Sequence, residues 1–380
     1  MSIDGRDTDL GATEGVAVLL ARASAAETRT TDRLYGAIDD VLMDDAVRLD
    51  DRTRLRMRAV LAQLAGGIEA ALRSHAARLL ILRDEAVLAE RLRVTAAPVF
   101  ARLNASGLLR DPALIRELLG RVRQDLMADA LPIRAPDDPD QPSLLPRLLH
   151  HVNPAVGAAS GALLAAESQR RSHMPIGTPQ SSDLPADLHH HLVWWSAAAL
   201  RIAVADAGDG ALWALDRALA EAAAHQISAH VEEDRLEAVA MRLAGALDPD
   251  AKARARLLVE ALSDRRLSLV IALLAQGLGL DYADMREIVL DPEGERLWLA
   301  LRALDLDRTT VARIGLAMAE ADPRRDVDGF ADALDDIMAT DHVAASKALA
   351  PLLLHREYRA ALSAIERGVR RAWPSAGTRG

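Results

Sequence analysis

Apolar residues recur along this chain at intervals of three and four positions, which is the spacing of one face of an α-helix. Alanine and leucine dominate these stripes, and β-branched residues are sparse, so the pattern favours helices over strands. The stripe from Leu55 to Leu82 predicts either one long helix or two helices that meet at Gly66-Gly67. Asp111-Pro112 predicts the start of another helix, because aspartate is a preferred N-cap and proline suits the first helical position.

The predicted helices fall into regions separated by proline-rich, polar sequence. We expect a disordered tail at 1–12, an N-terminal helical domain at 13–131, proline-rich loops with two helices at 132–186, a C-terminal helical-repeat domain at 187–373 and a second disordered tail at 374–380. The first domain is expected to begin with short helices at 14–23 and 31–43. From Asp187 onward, predicted helices follow one another about every 20 residues in pairs joined by short turns, as in helical repeats.

Four Leu/Ala/Arg-rich segments, among them VTAAPVFARLNASGLLRDPALIRELLGRV and GERLWLALRALDLDR, follow a recognisable order. They lie at Arg54–Leu80, Val94–Val122, Leu257–Asp291 and Gly294–Arg308. In pattern and order they resemble the bacterial family known as domain of unknown function 2336. The resemblance implies an all-α fold, with an N-terminal helical bundle followed by HEAT-like antiparallel helix-hairpin repeats. It implies no catalytic or ligand-binding role for any residue.

Composition narrows the possible functions. The 380 residues include 46 basic and 56 acidic side chains, a net charge of -10, which disfavours non-specific binding to nucleic acid. The absence of cysteine excludes disulfides, thiolate metal sites and cysteine nucleophiles. No run of about 20 apolar residues predicts a membrane span. Residues 1–11 resemble neither a secretory signal nor a transit peptide, so we expect a cytoplasmic protein that contacts neither membrane nor nucleic acid.

Histidines are the first candidates for chemistry. Consecutive residues of a helix point about 100° apart, so His189, His190 and His191 cannot all face one metal ion. We expect them to be solvated or to lie at a helix start, and we expect neither a metal site nor a cofactor. His75 is a weak phosphorelay candidate, since one exposed histidine on a helical bundle can accept a phosphoryl group. Its position beside the leucine stripe predicts partial burial instead.

The pair Trp194-Trp195 is the second candidate. On a helix that starts near Asp187, Trp195 and Ile202 are predicted to face the core, whereas Trp194 points away from it, with His191 and Arg201 as neighbours. Tryptophan and arginine are the types most enriched at binding hot spots. We therefore predict a binding surface at His190, His191, Trp194 and Arg201. The other tryptophans considered, Trp213 and Trp298, are predicted to belong to the core.

The sequence favours a non-enzymatic helical-repeat protein with a scaffold or regulatory role. It would bind a protein partner whose identity the sequence does not give, and a homodimer is one form this can take. Two alternatives stay open: a sensor or enzyme that holds a small molecule or metal near residues 189–201, and a histidine phosphorelay component. No Gly-rich phosphate loop or Gly-x-Ser-x-Gly elbow supports an enzyme.

Overall fold

A computed structural model describes residues 48–95, 98–132, 142–172, 182–204 and 209–372. These residues form 17 α-helices and, in the same ranges, no β-strand, which confirms the all-α prediction. The chain divides into two compact units, Met1–Arg54 and Leu55–Gly380, and of the first only residues 48–54 are described. The predicted helices at 14–23 and 31–43, both predicted tails and most of the two proline-rich segments lie outside the described residues.

The first described helices are α1 (Asp51–Ile81), α2 (Ala86–Val94), α3 (Val99–Ala105) and α4 (Pro112–Ala130). Helix α1 runs without a break through Gly66 and Gly67, both of them buried, so the one-helix alternative is correct. Gly107 follows α3 with a φ of 79°, a left-handed conformation that glycine adopts without a Cβ clash. Asp111 caps α4 as predicted, since its Oδ1 accepts a hydrogen bond from the Leu114 amide at 2.8 Å.

The remaining helices are short and follow one another closely. They are α5 (Leu144–Leu148), α6 (Pro154–Arg171), α7 (Ala186–Val204), α8 (Asp209–Ser228), α9 (Leu236–Leu247), α10 (Ala251–Ser263), α11 (Leu267–Leu278), α12 (Tyr282–Val289), α13 (Glu295–Ala303), α14 (Arg308–Ala321), α15 (Val327–Ala339), α16 (His342–Leu349) and α17 (Arg356–Ala372). From α7 onward, the helices follow one another closely and most are joined by short turns, as the apolar periodicity predicted, because each helix carries its own apolar stripe.

Two hydrophobic cores organise the larger unit. The first core is made by α1 to α4 together with α7 and α8, and the second by α5, α6 and α9 to α16. Helix α4 belongs to both, because Leu114, Leu118 and Val122 pack in the first core and Met127 packs in the second. Helices α7 and α8 pack with the N-terminal helices in the first core, and the domain boundary at residue 187 stays a prediction.

Helix α11 is the centre of the second core. Residues 267–275 are all buried, and the helix packs against α9, α10 and α12. Within the described residues no single helix is long and apolar enough to cross a membrane. Helices α11 and α12 pass that test only as a pair bent by 116°, and burial in the core accounts for their apolar composition.

Two of the predicted core positions are wrong. The Trp213 side chain is 73% exposed and that of Ile202 is 59% exposed. Both lie on faces of α7 and α8 that no other described helix covers, so an apolar side chain there has no core to enter. The other two predictions hold, since Trp195 packs against the first core and Trp298 stacks on Phe330 with ring centroids 4.5 Å apart.

Candidate functional site

The predicted binding surface lies on α7. His190, His191 and Trp194 are exposed there, and the Arg201 guanidinium is partly exposed. The Trp194 indole Nε1 donates a hydrogen bond to His190 Nε2 at 3.1 Å, one helical turn earlier. His191 stacks on Trp195, with ring centroids 5.8 Å apart. The four predicted residues therefore lie on one solvent-facing side of α7, and its aromatic groups are held in place by neighbours.

Helix α8 extends this surface. Helices α7 and α8 pack as an antiparallel pair, with Arg201 Nε donating to Asp216 Oδ1 at 3.0 Å. Trp213 lies one turn before Asp216, and Trp194 lies two turns before Arg201. Because a helix rises 1.5 Å per residue, the two tryptophans are about 15 Å apart along the helix axes. Trp213 was predicted to lie in the core, although tryptophan is rare in this chain and that rarity was a usable signal.

The histidine triplet is split between solvent and core. His189 is 2% exposed, and its Nε2 lies 3.4 Å from the Gln226 carbonyl oxygen, while its Nδ1 lies 2.8 Å from Ser182 Oγ. An Nε2–H that donates to the carbonyl leaves Nδ1 as an acceptor for the serine, so these contacts suit the neutral ring. Burial, and then neighbouring His230 stacked 4.3 Å away, lower the pKa of His189 to about 4.

His75 lies half-buried on α1, beside the leucine stripe. Its ring centroid is 4.4 Å from that of His225 on α8. Burial and then His225 lower the pKa of His75, so the ring favours the neutral form. A phosphorelay role for this histidine stays a prediction. Among the described residues, no group of three or more histidine, aspartate or glutamate side chains is placed to hold a metal ion.

A buried network of charged residues lies where the two cores meet. We call it the central network, and it consists of Glu117, Arg121, Arg170, Asp183, Arg235, Glu237 and Arg286. These residues come from α4, α6, α9, α12 and the segments just before α7 and α9. Residues separated by as many as 169 positions in sequence therefore meet in one place. These pairs could not be predicted from the sequence, although charged residues on otherwise apolar stripes indicated that buried charges were present.

Glu237 is the centre of the central network and is 6% exposed. Its Oε1 accepts a hydrogen bond from Arg170 Nη2 at 2.8 Å and lies 3.6 Å from Arg286 Nη1. Its Oε2 lies 3.5 Å from Arg235 Nη2. Burial alone would raise the pKa of Glu237, but Arg170 and the other two guanidinium groups lower it to about 2. The carboxylate is thus charged in the folded protein.

The two ends of the network reach α4 and the segment before α7. Arg286 Nη2 donates to Glu117 Oε2 at 2.7 Å, and Arg170 Nε donates to Asp183 Oδ2 at 2.8 Å. The other oxygen of Asp183 accepts the backbone amide of Leu236 at 3.3 Å, at the start of α9. The same ion pairs therefore fix four helices and a loop relative to one another.

A cavity of about 290 Å³ adjoins the network between α1, α4 and α6. Its wall combines apolar side chains with charged groups, among them Arg121, Arg170, Asp125 and Asp183. Burial raises the pKa of Asp125, and the nearby Arg170 and Arg121 oppose that rise. The cavity does not lie at residues 189–201, the region predicted for the ligand-binding alternative, although Ser182, which contacts His189, belongs to its wall.

The described chain is an all-α protein in which buried ion pairs join two hydrophobic cores. Residues 142–359, more than half of the chain, match the bacterial family described as "Uncharacterised protein conserved in bacteria (DUF2336)". The chain belongs to this family, as the sequence resemblance implied. The match includes Arg170, Asp183 and Glu237, whereas Glu117 and Arg121 precede it. Comparison with curated proteins and with solved structures found no match.

The central network predicts a large cost for removing its central charge. Glu237→Gln keeps the shape of the side chain but leaves Arg170 and Arg286 buried without the carboxylate, so the free energy of unfolding should fall by about 3–5 kcal/mol. Asp335→Asn is the matched control, because Asp335 pairs with Arg308 at an exposed site and should cost less than about 1 kcal/mol. Equal losses in urea denaturation would contradict a structural role for the network.

The buried His189 predicts a dependence of stability on pH. A free histidine has a pKa of about 6.5, so between pH 6.5 and 4 the unfolded chain binds a proton that folded His189 does not. The free energy of unfolding should fall as the pH drops through this window, by up to about 3 kcal/mol from His189. Denaturation across the window should show a shallower fall for His189→Gln, and the wild-type fall for His342→Gln, an exposed histidine. Identical curves for wild type and His189→Gln would refute the assignment.

Proposed function

We propose that this protein is a non-enzymatic protein-binding module, built as a HEAT-like helical-repeat array, with a scaffold or regulatory role. The observation that carries the proposal is the exposure of Trp194 and Trp213 on the paired helices α7 and α8. Tryptophan is costly to leave in solvent, and it is enriched among the residues that dominate binding energy. The α7–α8 pair is therefore the surface on which the partner binds.

The composition of this surface supports a protein partner. Between the tryptophans lies the Arg201–Asp216 pair, and Ile202 adds an exposed aliphatic side chain. Apolar anchors beside partly solvated charged groups are typical of a protein interface, in which the charges lie toward the rim. A separation of about 15 Å between the anchors is compatible with a standard interface, which buries about 800 Å² on each partner.

The side chains of this surface are held in position by neighbours, which supports binding at a small entropic cost. The Trp194 indole is held by its hydrogen bond to His190, and the next residue, Trp195, packs on the first core. Arg201 is likewise positioned by Asp216. Side chains that are already fixed lose little conformational freedom when a partner docks. A second copy of this chain is one partner that the surface can accept.

The test compares tryptophan variants with a matched control. Trp194→Ala and Trp213→Ala should each weaken binding about tenfold or more, because both remove an exposed anchor. Leu82→Ala removes an apolar side chain that is 81% exposed on the turn after α1, so it should bind as the wild type does. A partner is first identified by affinity purification and mass spectrometry, and its affinity for each purified variant is then measured by calorimetry.

Self-association is measured in parallel by sedimentation velocity, which separates a homodimer from a complex with another protein. The proposal fails if folded Trp194→Ala and Trp213→Ala variants retain both every partner and the oligomeric state of the wild type. It also fails if neither a stoichiometric partner nor a dimer is found for the wild type.

A further inference from the structure

Arg121 differs from the other arginines of the central network in having too few partners. The side chains of Arg170, Arg235 and Arg286 each donate a hydrogen bond to at least one carboxylate. Arg121 is 8% exposed, yet its shortest ion pair is 3.7 Å, between Nη2 and Asp183 Oδ2. Its Nε and Nη1 are buried and make no hydrogen bond in the described part of the chain. A buried guanidinium in this state carries an unfavourable desolvation energy.

The neighbouring groups explain why Arg121 lacks hydrogen-bond partners in the described part of the chain. Arg170 is closer to Asp183 and takes the same oxygen, Oδ2, with its Nε at 2.8 Å. The second carboxylate of Arg170 is Glu237, which Arg121 does not reach. Burial, and then repulsion from Arg170, lower the pKa of Arg121. Desolvation and repulsion of this kind lower the pKa of a cation when its surroundings supply too little negative charge.

The charges of the central network point the same way. Four guanidinium groups, from Arg121, Arg170, Arg235 and Arg286, face three carboxylates, from Glu117, Asp183 and Glu237. Two further carboxyl groups lie close by: Glu232 Oε1 accepts a hydrogen bond from Arg235 Nη1 at 3.1 Å, and Asp125 lines the cavity. In the described part of the chain, Arg121 is therefore the one arginine of the central network without a hydrogen bond to a carboxylate, and an anionic group beside it would supply one.

The cavity provides space for an anionic group beside Arg121. Arg121 and Arg170 both line it, and Val60, Leu64 and Leu236 supply an apolar part of its wall. A volume of about 290 Å³ is close to the lower limit of known small-molecule sites, which is about 300 Å³. Most of the other lining residues are polar or charged, so the cavity suits a polar ligand better than a wholly apolar one.

We propose that this cavity binds a small organic acid or phosphate ester, whose anionic group accepts a hydrogen bond from the free donors of Arg121. The apolar part of the wall contacts the rest of the ligand, and the volume limits the ligand to the size of a small metabolite. Arg170 stays paired with Asp183 and Glu237, so it contributes charge and keeps the wall in place. Carboxylate and phosphate share this chemistry, because a guanidinium donates to the oxygens of either.

Thermal unfolding of the full chain tests the proposal with inorganic phosphate and succinate as separate probes. Chloride at equal ionic strength is the control for screening. Binding to the native state raises the unfolding temperature in a saturable way, so one of the two anions should do so and chloride should not. The anion that gives the larger rise identifies the preferred group, and calorimetry then gives its dissociation constant.

Arg121→Met separates a ligand-binding role from a structural one. Because Arg121 is buried with few partners, the methionine variant should unfold at about the wild-type temperature, since an apolar replacement removes an uncompensated charge. It should bind the anion about tenfold or more weakly. Arg308→Met, on the exposed surface of α14, should leave binding unchanged.

Three results would overturn the proposal. The first is a response to phosphate and succinate no larger than the response to chloride, which would mean that the cavity holds only water. The second is equal anion binding by folded Arg121→Met and wild type, which would place the anion elsewhere. The third is a large loss of stability in Arg121→Met without any anion, which would make Arg121 a structural residue.

Discussion

The ion pairs around Glu237 are the constraint on which the rest of the structure depends. A buried carboxylate must keep its cationic partners, because a charge left alone in the interior is far more costly than an exposed one. Glu237 can satisfy that requirement only when α6, α9 and α12 lie in one arrangement. The same charges reach α4 through Glu117, and α4 also supplies leucines to one core and Met127 to the other. The two cores are thereby fixed to each other by polar contacts as well as by packing.

The backbone of α4 is adapted to this arrangement. Gly120 lies beside the Arg286 guanidinium, and a Cβ placed on Gly120 would be 2.8 Å from Arg286 Nε. That distance is well below van der Waals contact, so any larger residue would push the guanidinium away from Glu117. A glycine in a helix interior costs about 1 kcal/mol relative to alanine. The absence of a side chain at Gly120 makes space for the Arg286 guanidinium. That group can then reach Glu117, which lies three residues before Gly120 on α4.

The helices could be predicted from the sequence because their causes are local. The apolar periodicity predicted the close succession of helices from Asp187 onward, and Asp111-Pro112 predicted the start of α4. The neighbours of each helix could not be predicted in this way, because a stripe shows which face is apolar but not what covers it. Trp213 and Ile202 were assigned to the core for that reason and are exposed. The central network and the cavity beside it depend on pairs such as Glu117–Arg286, which only the tertiary fold brings together.

The exposed aromatic surface and the cavity are two separate features of the larger unit. The surface on α7 and α8 belongs to the first core, and the cavity adjoins the network that joins this core to the second. Because the central network fixes the two cores to each other, we expect them to open as one cooperative unit. Native-state hydrogen exchange tests it through the amides of Leu219 on α8 and Ile271 on α11, one from each core. Equal free energies of opening at the two amides are the predicted result, whereas a clearly lower value at either amide would contradict this coupling of the cores.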